Sequence, residues 1–303
     1  MEIGHCLRSL YESIKDVCIM KRFQQIGIIL FLLIGSSITS FSQIIDAPPR
    51  DGIFDKSAIM ELQAIPYIYL READIVWTKR IWRTIDMREK INLPYYFPTK
   101  PQGTWKSFID VVMDALREGS LTAYSSTNEE FLYPISYDEL MNRLEAPELK
   151  TLRDENGVEY DSLISRIFYS SDVKKLVIKE DWFFDKQRSI FEVRIIGISP
   201  LMESYVPGGG GQKRADEQLF WIYFPEAREV LAHAEIFNMK NGSAGRLSFD
   251  DAFTKRIFSS YITKTENVYN RRINQYATGV DALLESERAK NQIFEFEEGL
   301  WEY

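Results

Sequence analysis

Cysteine and histidine are nearly missing from this sequence. Its 303 residues hold two of each: Cys6, Cys18, His5 and His233. Only His233 lies beyond residue 42, so the body of the chain has one imidazole and no thiol. Disulfide stapling, cysteine-based zinc sites and thiol catalysis are thereby excluded from it. A metalloprotease helix needs a second histidine four residues on, and that position holds Phe237. No Gly-x-Ser-x-Gly elbow is present to present a serine nucleophile. His233 therefore reads as a structural or surface residue. A basic block is missing as well: 37 Lys and Arg face 45 Asp and Glu, a formal charge of −8. Such a chain is a poor ligand for a phosphate backbone, so nucleic acid is not an expected partner. The glycines Gly208 to Gly211 run into Gln212-Lys213-Arg214 without the Gly-Lys-Ser/Thr ending of a phosphate loop, and read as a plain flexible loop. No catalytic, cofactor or metal residues are assigned.

Long apolar runs are scarce too. Ile26 to Ile34 follows Lys21-Arg22 and is closed by Gly35, Ser36, Ser37, Ser40 and Ser42. A basic head, a short apolar stretch and a small-residue exit make a secretory signal peptide. The run falls well short of the roughly 20 residues that span a bilayer, so no membrane span is expected in the mature chain. Cleavage after Ser42 would leave Gln43 first. No cysteine follows the run to carry a lipid. Residues 1 to 19 carry Glu2, Glu12 and Asp16, which suit a signal peptide poorly, and Met20 would make a more ordinary start. Losing residues 1 to 42 removes four of the 37 basic and three of the 45 acidic residues, leaving 33 against 42, or −9.

What is present in quantity is aromatic side chain: 19 Phe, 16 Tyr and 6 Trp. The remaining chain is long enough for one large or two small packed units. Residues 43–64, with Pro48-Pro49-Arg50-Asp51-Gly52, read as an extended arm. Over Glu72 to Leu93, helical spacing (Ala73, Val76, Trp77, Arg80, Ile81, Thr84) competes with partial alternation, and the spacing favours a helix. Pro94, Pro98 and Pro101 then predict an extended loop. Thr104 to Glu118 predicts a helix stopped by Gly119, and Leu121 to Tyr124 a short strand. Ser136 to Leu144 is a helix with Glu139 at capping-box spacing. Ala146 to Ser162 reads as a loop. Lys174 to Phe184 and Ser189 to Ile198 form a strand hairpin about Asp185-Lys186-Gln187-Arg188. Leu219 to Phe224 is a strand and Pro225 opens a helix to about Phe237. A longer helix starts at Ser248 and runs through Phe253, Ile257 and Tyr261. The tail, residues 279–303, is acidic and aromatic. Helices mixed with antiparallel hairpin strands, without regular alternation, give an α+β fold over residues 65–278.

Paired carboxylates can hydrolyse glycosides without histidine, and Glu180-Asp181 beside Trp182 is the most suggestive pair. Charged residues in a hairpin strand more often just face water. A denser signal is the crowding of Trp77, Trp82, Arg80, Arg83, Arg88 and several tyrosines between Tyr67 and Pro98. Trp, Tyr and Arg are the side chains that anchor protein interfaces. The acidic tail adds Phe294, Phe296 and Trp301, and these eight residues are the candidate partner contacts.

The stretch Asp74 to Pro98, above all Trp77, Trp82, Arg83 and Ile85-Asp86-Met87-Arg88-Glu89-Lys90-Ile91-Asn92, resembles the GldN/PorN family. Gly119-Ser120-Leu121-Thr122-Ala123-Tyr124 and the Val177-to-Ile198 hairpin are similar to it as well. The resemblance implies a non-catalytic periplasmic component of the type IX secretion and gliding machinery. It implies a ring, built by self-association with an outer-membrane lipoprotein of GldK/PorK type, which would hold the protein at the outer membrane. It further implies contact with a motor protein of GldM/PorM type. The arm, the glycine loop and the tail are the segments expected to order on assembly. Two other classes compete: a secreted carboxylate-dependent hydrolase acting on cell-wall glycan, and a periplasmic small-ligand binder.

Overall fold

In a computed structural model of the chain, the described residues are 61–103, 105–153, 159–164, 167–205, 213–240 and 246–300. Residues 1–42, read above as a signal peptide, most of the expected arm, the glycine loop and Trp301 lie outside them. All of the described residues belong to one compact unit, Lys56–Tyr303.

The first element corrects the sequence reading. Ile75–Asp86 is a twelve-residue strand, β1, and not a helix. Helical spacing and alternation were both present in this stretch, and pairing on both sides settles the choice. β1 lies antiparallel between β6 (Val173–Asp185), which pairs along its length, and β12 (Tyr261–Thr265), which pairs with Ile81 to Thr84. Alternation then sends Ile81, Arg83 and Ile85 to one face and Arg80, Trp82 and Thr84 to the other.

β6 pairs next with β7 (Ile190–Tyr205) as the expected hairpin, although β7 runs seven residues past Ile198. Its turn is fixed by Asp185, whose carboxylate accepts from the Gln187 N–H at 2.9 Å and from Arg188 Nε at 2.7 Å. Beyond β7 come β9 (Phe220–Tyr223), β2 (Ala123–Ser125) and β3 (Pro134–Ile135). The sheet order is β12-β1-β6-β7-β9-β2-β3, and β8 (Lys213–Gln218) pairs with the far end of β7 to make eight strands. Ala146 to Ser162 holds a separate hairpin, β4 (Glu148–Arg153) with β5 (Glu159–Ile164), where a loop was expected. Its polar sequence carries little strand signal, and only the pairing of the two segments reveals it. A further short pair is β10 (Glu235–Ile236) with β11 (Leu247–Ser248).

Helices cover one face. α1 (Leu93–Tyr96) is a single turn that Pro94 can open, where an extended loop was expected. α2 (Phe108–Glu118) is capped by Ser107, which accepts from the Asp110 N–H, and stops at Gly119 with φ 76°. α3 (Tyr137–Leu144) starts at Ser136, which accepts from the Glu139 N–H at 3.3 Å. α4 (Phe224–Ala232) ends five residues before Phe237. α5 (Phe249–Thr254) is also shorter than its apolar pattern suggested, because Arg256 reverses the chain at φ 54° and sends it into β12. The tail is not left waiting for a partner: Val280–Gly299 is a twenty-residue helix, α6, docked on the chain by Ala289 and Ile293. The fold is α+β, as expected.

The main core lies between the sheet and α2, α4 and α5, where Ile85, Leu176, Ile178 and Ile198 meet Phe108, Leu231, Phe249 and Phe253. Toward β12 the same face packs Ile81 and Ile262 against α6. The opposite face carries a smaller cluster of Trp82, Val177, Leu201 and Trp221, overlaid by Tyr124 and Phe131. Gly197 permits that overlay. A Cβ at this position would collide with the Phe131 ring and lie 3.0 Å from the Ile222 carbonyl. Gly197→Ala is therefore expected to destabilise the protein by about 1–3 kcal/mol, the usual cost of overpacking. A thermal or urea melt of the purified variant reads this directly.

Candidate interaction surface

Because β1 is a strand, the aromatic–arginine cluster splits between the two faces of the sheet. On the covered face, Arg83 Nε donates to Glu180 Oε1 at 2.5 Å. Arg256 donates to the same carboxylate at 2.7 and 3.3 Å, and Trp182 Nε1 adds a third donor at 3.0 Å. Glu180 is fully buried. Both guanidinium groups also lie over the Trp182 ring, 5.8 and 5.3 Å from its centroid. Burial pulls the Arg83 pKa below its usual value, Glu180 opposes this and Arg256 adds to it. The cluster holds one fully buried negative charge between two part-buried positive ones, and burying the carboxylate is tolerable only with hydrogen bonds this complete.

On the open face, Arg80 binds Asp181 through two bonds of 2.6 and 2.7 Å. Glu180 and Asp181 thus point to opposite faces, each held by arginine. The pair singled out for glycoside hydrolysis cannot flank one bond. Beside Arg80, Trp82 is buried between two buried lysines. Lys264 Nζ sits 4.0 Å from the indole centroid and donates to Glu129 Oε2 at 2.8 Å. Lys179 Nζ sits 5.9 Å away and donates to the Glu129 carbonyl at 2.7 Å. Burial, then the nearby Arg80, lowers the Lys179 pKa. Trp82, Glu129 and Arg272 form walls of two adjoining cavities of about 400 and 490 Å³.

The family is decided by sequence matching over this same body. The family described as "Gliding motility associated protein GldN" matches residues 70–302, more than three quarters of the chain. The chain belongs to the GldN family. The resemblance carried by Asp74 to Pro98 is borne out, and the chain is a gliding-motility-associated protein. A sequence search of curated proteins returned no match. Within this GldN chain the matched region starts at Leu70, just before β1, and runs to the end of α6.

The remaining candidates fall in several environments. Arg88 is exposed and reaches Asp86 at 2.6 and 2.9 Å and Glu203 at 3.2 Å. The Arg88 hydrogen bond holds the Asp86 carboxyl below its usual range. Trp77 is stacked on Phe296 of α6, with centroids 4.3 Å apart and planes at 13°. Those two residues meet each other, and Phe294 points outward from the same helix. His233 is exposed, its Nδ1 2.6 Å from the Glu229 carbonyl at the end of α4. Among the described residues no group of three or more metal-ligating side chains comes together, and no helix is long and apolar enough to cross a membrane.

Two exposed apolar regions escaped the sequence reading. Residues 62–69 run extended along the surface with Ile65, Ile68 and Tyr69 exposed. Arg228, paired with Asp250 at 2.8 and 3.1 Å, donates to the Ile65 carbonyl at 2.6 Å, and Arg194 donates to that of Ile68 at 2.8 Å. Tyr67 lies between these arginines, 4.3 and 4.8 Å from its ring. The second region comprises Val268, Tyr269 and Tyr276 with Val280, Leu283 and Leu284. Its Val-Tyr and Leu-Leu pairs are too short to register as periodic signal.

The buried cluster gives a sharp expectation. Glu180→Gln leaves two guanidinium groups without their carboxylate and should cost about 3 kcal/mol or more. Adding Arg256→Met to that variant should recover part of the loss in a denaturant melt. No recovery would assign the cost to packing and not to uncompensated charge.

Proposed function

We propose that this protein is a non-catalytic periplasmic structural component of the type IX secretion and gliding machinery. In this reading it is exported on its signal peptide and assembles into a ring with an outer-membrane lipoprotein of GldK/PorK type. It also contacts a motor protein of GldM/PorM type. Its place at the outer membrane is supplied by the lipoprotein, since Gln43 and the residues after it offer no lipid-bearing cysteine.

The observation that carries the reading is the GldN match across the folded body, from β1 to α6. The arrangement of charge supports it. Arg80, Arg83, Arg228 and Arg256 are used to fix strands, connections and the 62–69 segment, each on a carboxylate. The acids Glu180 and Asp181, which a hydrolase would need free, are committed to those contacts. Exposed aromatic and apolar side chains such as Ile65, Ile68, Tyr69, Val268 and Tyr269 remain at the surface, residue types that anchor partners.

The test is a pull-down of the tagged mature chain, from Gln43 onward, out of gently solubilised envelopes. Recovery of a lipoprotein of the expected type in near-equal amount is the expected result. A chain that emerges alone would overturn the assembly reading.

A further inference from the structure

Residues 62–69 lie on the body ahead of β1 as a strap, without strand pairing. Among the described residues the strap makes two hydrogen bonds, both through its main chain. The Ile65 carbonyl accepts from Arg228 Nη1 at 2.6 Å, and the Ile68 carbonyl accepts from Arg194 Nη2 at 2.8 Å. Tyr67 is the one large side chain of the strap that is half-buried, with its ring between the two guanidinium groups.

The seat keeps its shape by its own contacts. Arg228 of α4 is tied to Asp250 of α5 at 2.8 and 3.1 Å. Arg194 of β7 rests over Phe183, 5.3 Å from the ring centroid, with Nε 3.5 Å from Glu192. The strap does not fill this seat. A cavity of about 390 Å³ is lined jointly by Gln63, Pro66 and Tyr67 of the strap and by Ala232, Ser248 and Thr254 of the body. Atoms that face a void forgo dispersion contacts. Ile65, Ile68 and Tyr69 meanwhile stand 80%, 60% and 86% exposed. Lifting the strap therefore gives up two carbonyl bonds, which water replaces, and one ring contact. Little apolar burial is lost.

We propose that the strap is exchanged on self-association, so that residues 64–68 of one copy occupy the Arg194–Arg228 seat of a second copy. The seat itself identifies the occupant. It reads two carbonyls three residues apart with a tyrosine between them, and every copy carries that segment. Exchange remakes each contact it breaks, which makes it a low-cost route to association. The net gain comes from Ile65, Ile68 and Tyr69, exposed on their own body and enclosed between two bodies after exchange. Only Leu70 to Asp74 link the strap to β1, so the two bodies must abut close to the start of that strand. Passed head to tail, the same contact builds a closed ring where the rotation closes. The inference deepens the assembly reading and rests on it for self-association.

The experiment uses the lack of cysteine after Cys18, which leaves introduced thiols alone on the mature chain. Gln63→Cys on the strap and Thr254→Cys in the seat border one cavity. The two single variants are mixed and treated with a short bismaleimide, and the linked peptides are identified by mass spectrometry. A dimer joined between positions 63 and 254 should form, with a yield that rises with concentration toward the millimolar range typical of a tethered segment. The double variant should lose its internal link in step. Adding Tyr67→Ser to the strap variant should cut the dimer yield about tenfold, the scale of a moderate interface contact. Arg143→Cys on α3, mixed with the strap variant, should give no product. A link that forms only inside the double variant, at every concentration, would overturn the proposal. So would an unchanged dimer yield with Tyr67→Ser. Recovery of an envelope partner beside a strictly internal link would remove the exchange and leave the assembly reading standing. Exchange in a chain that recovers no envelope partner would do the reverse.

Discussion

The carboxylate of Glu180 is the point on which the molecule turns. It is fully buried, and it survives there because Arg83, Arg256 and Trp182 all donate to it. These donors come from β1, from the connection after α5 and from β6 itself, so three separate stretches of chain are tied to one group. Arg256 accepts a left-handed backbone to take part, a conformation that costs a side-chain-bearing residue about 1–2 kcal/mol. That reversal ends α5 and aims the chain into β12. Everything that follows depends on it: the pairing of β12 with β1 and the seat of α6.

The same alternation that buries Glu180 turns Asp181 and Trp82 to the other face. One face of the sheet is then closed by helices and hydrocarbon. The other keeps Arg80, Lys179 and Lys264 around an indole, with two cavities between them. Buried lysines are costly unless paired, and Glu129 answers both, with its carboxylate to Lys264 and its carbonyl to Lys179. Gly197 and Phe131 hold the loop bearing Glu129 in place. The result is a body whose buried charges answer one another, with exposed aromatic and apolar groups at its margins.

Much of this was legible in the sequence. Ser136 and Ser248 start helices as read, and the β6–β7 hairpin is plain from its valines, isoleucines and Asp185 turn, while α2 starts at its Ser107 cap and not at Thr104. The family could be read from Asp74 to Pro98. The class of the element carrying that signature could not, because its apolar residues fit both periods and only pairing with β6 and β12 decides between them. Helix ends were misjudged where a residue other than glycine, Arg256, took the left-handed turn. The tail looked like a tail because its acids outnumber its apolar residues, yet Ala289 and Ile293 suffice to dock it. The seat of the 62–69 strap left no trace, since arginines that donate to main-chain carbonyls are invisible to composition.

The most direct measurement is amide hydrogen exchange on this chain, free and within the purified gliding machinery. Residues around Glu180 in β1 and β6 should exchange slowly in both states, and residues 62–69 should gain protection only on assembly. Protection gained across the β1–β6 core with none at 62–69 would contradict the account of a preformed body that docks through its margins.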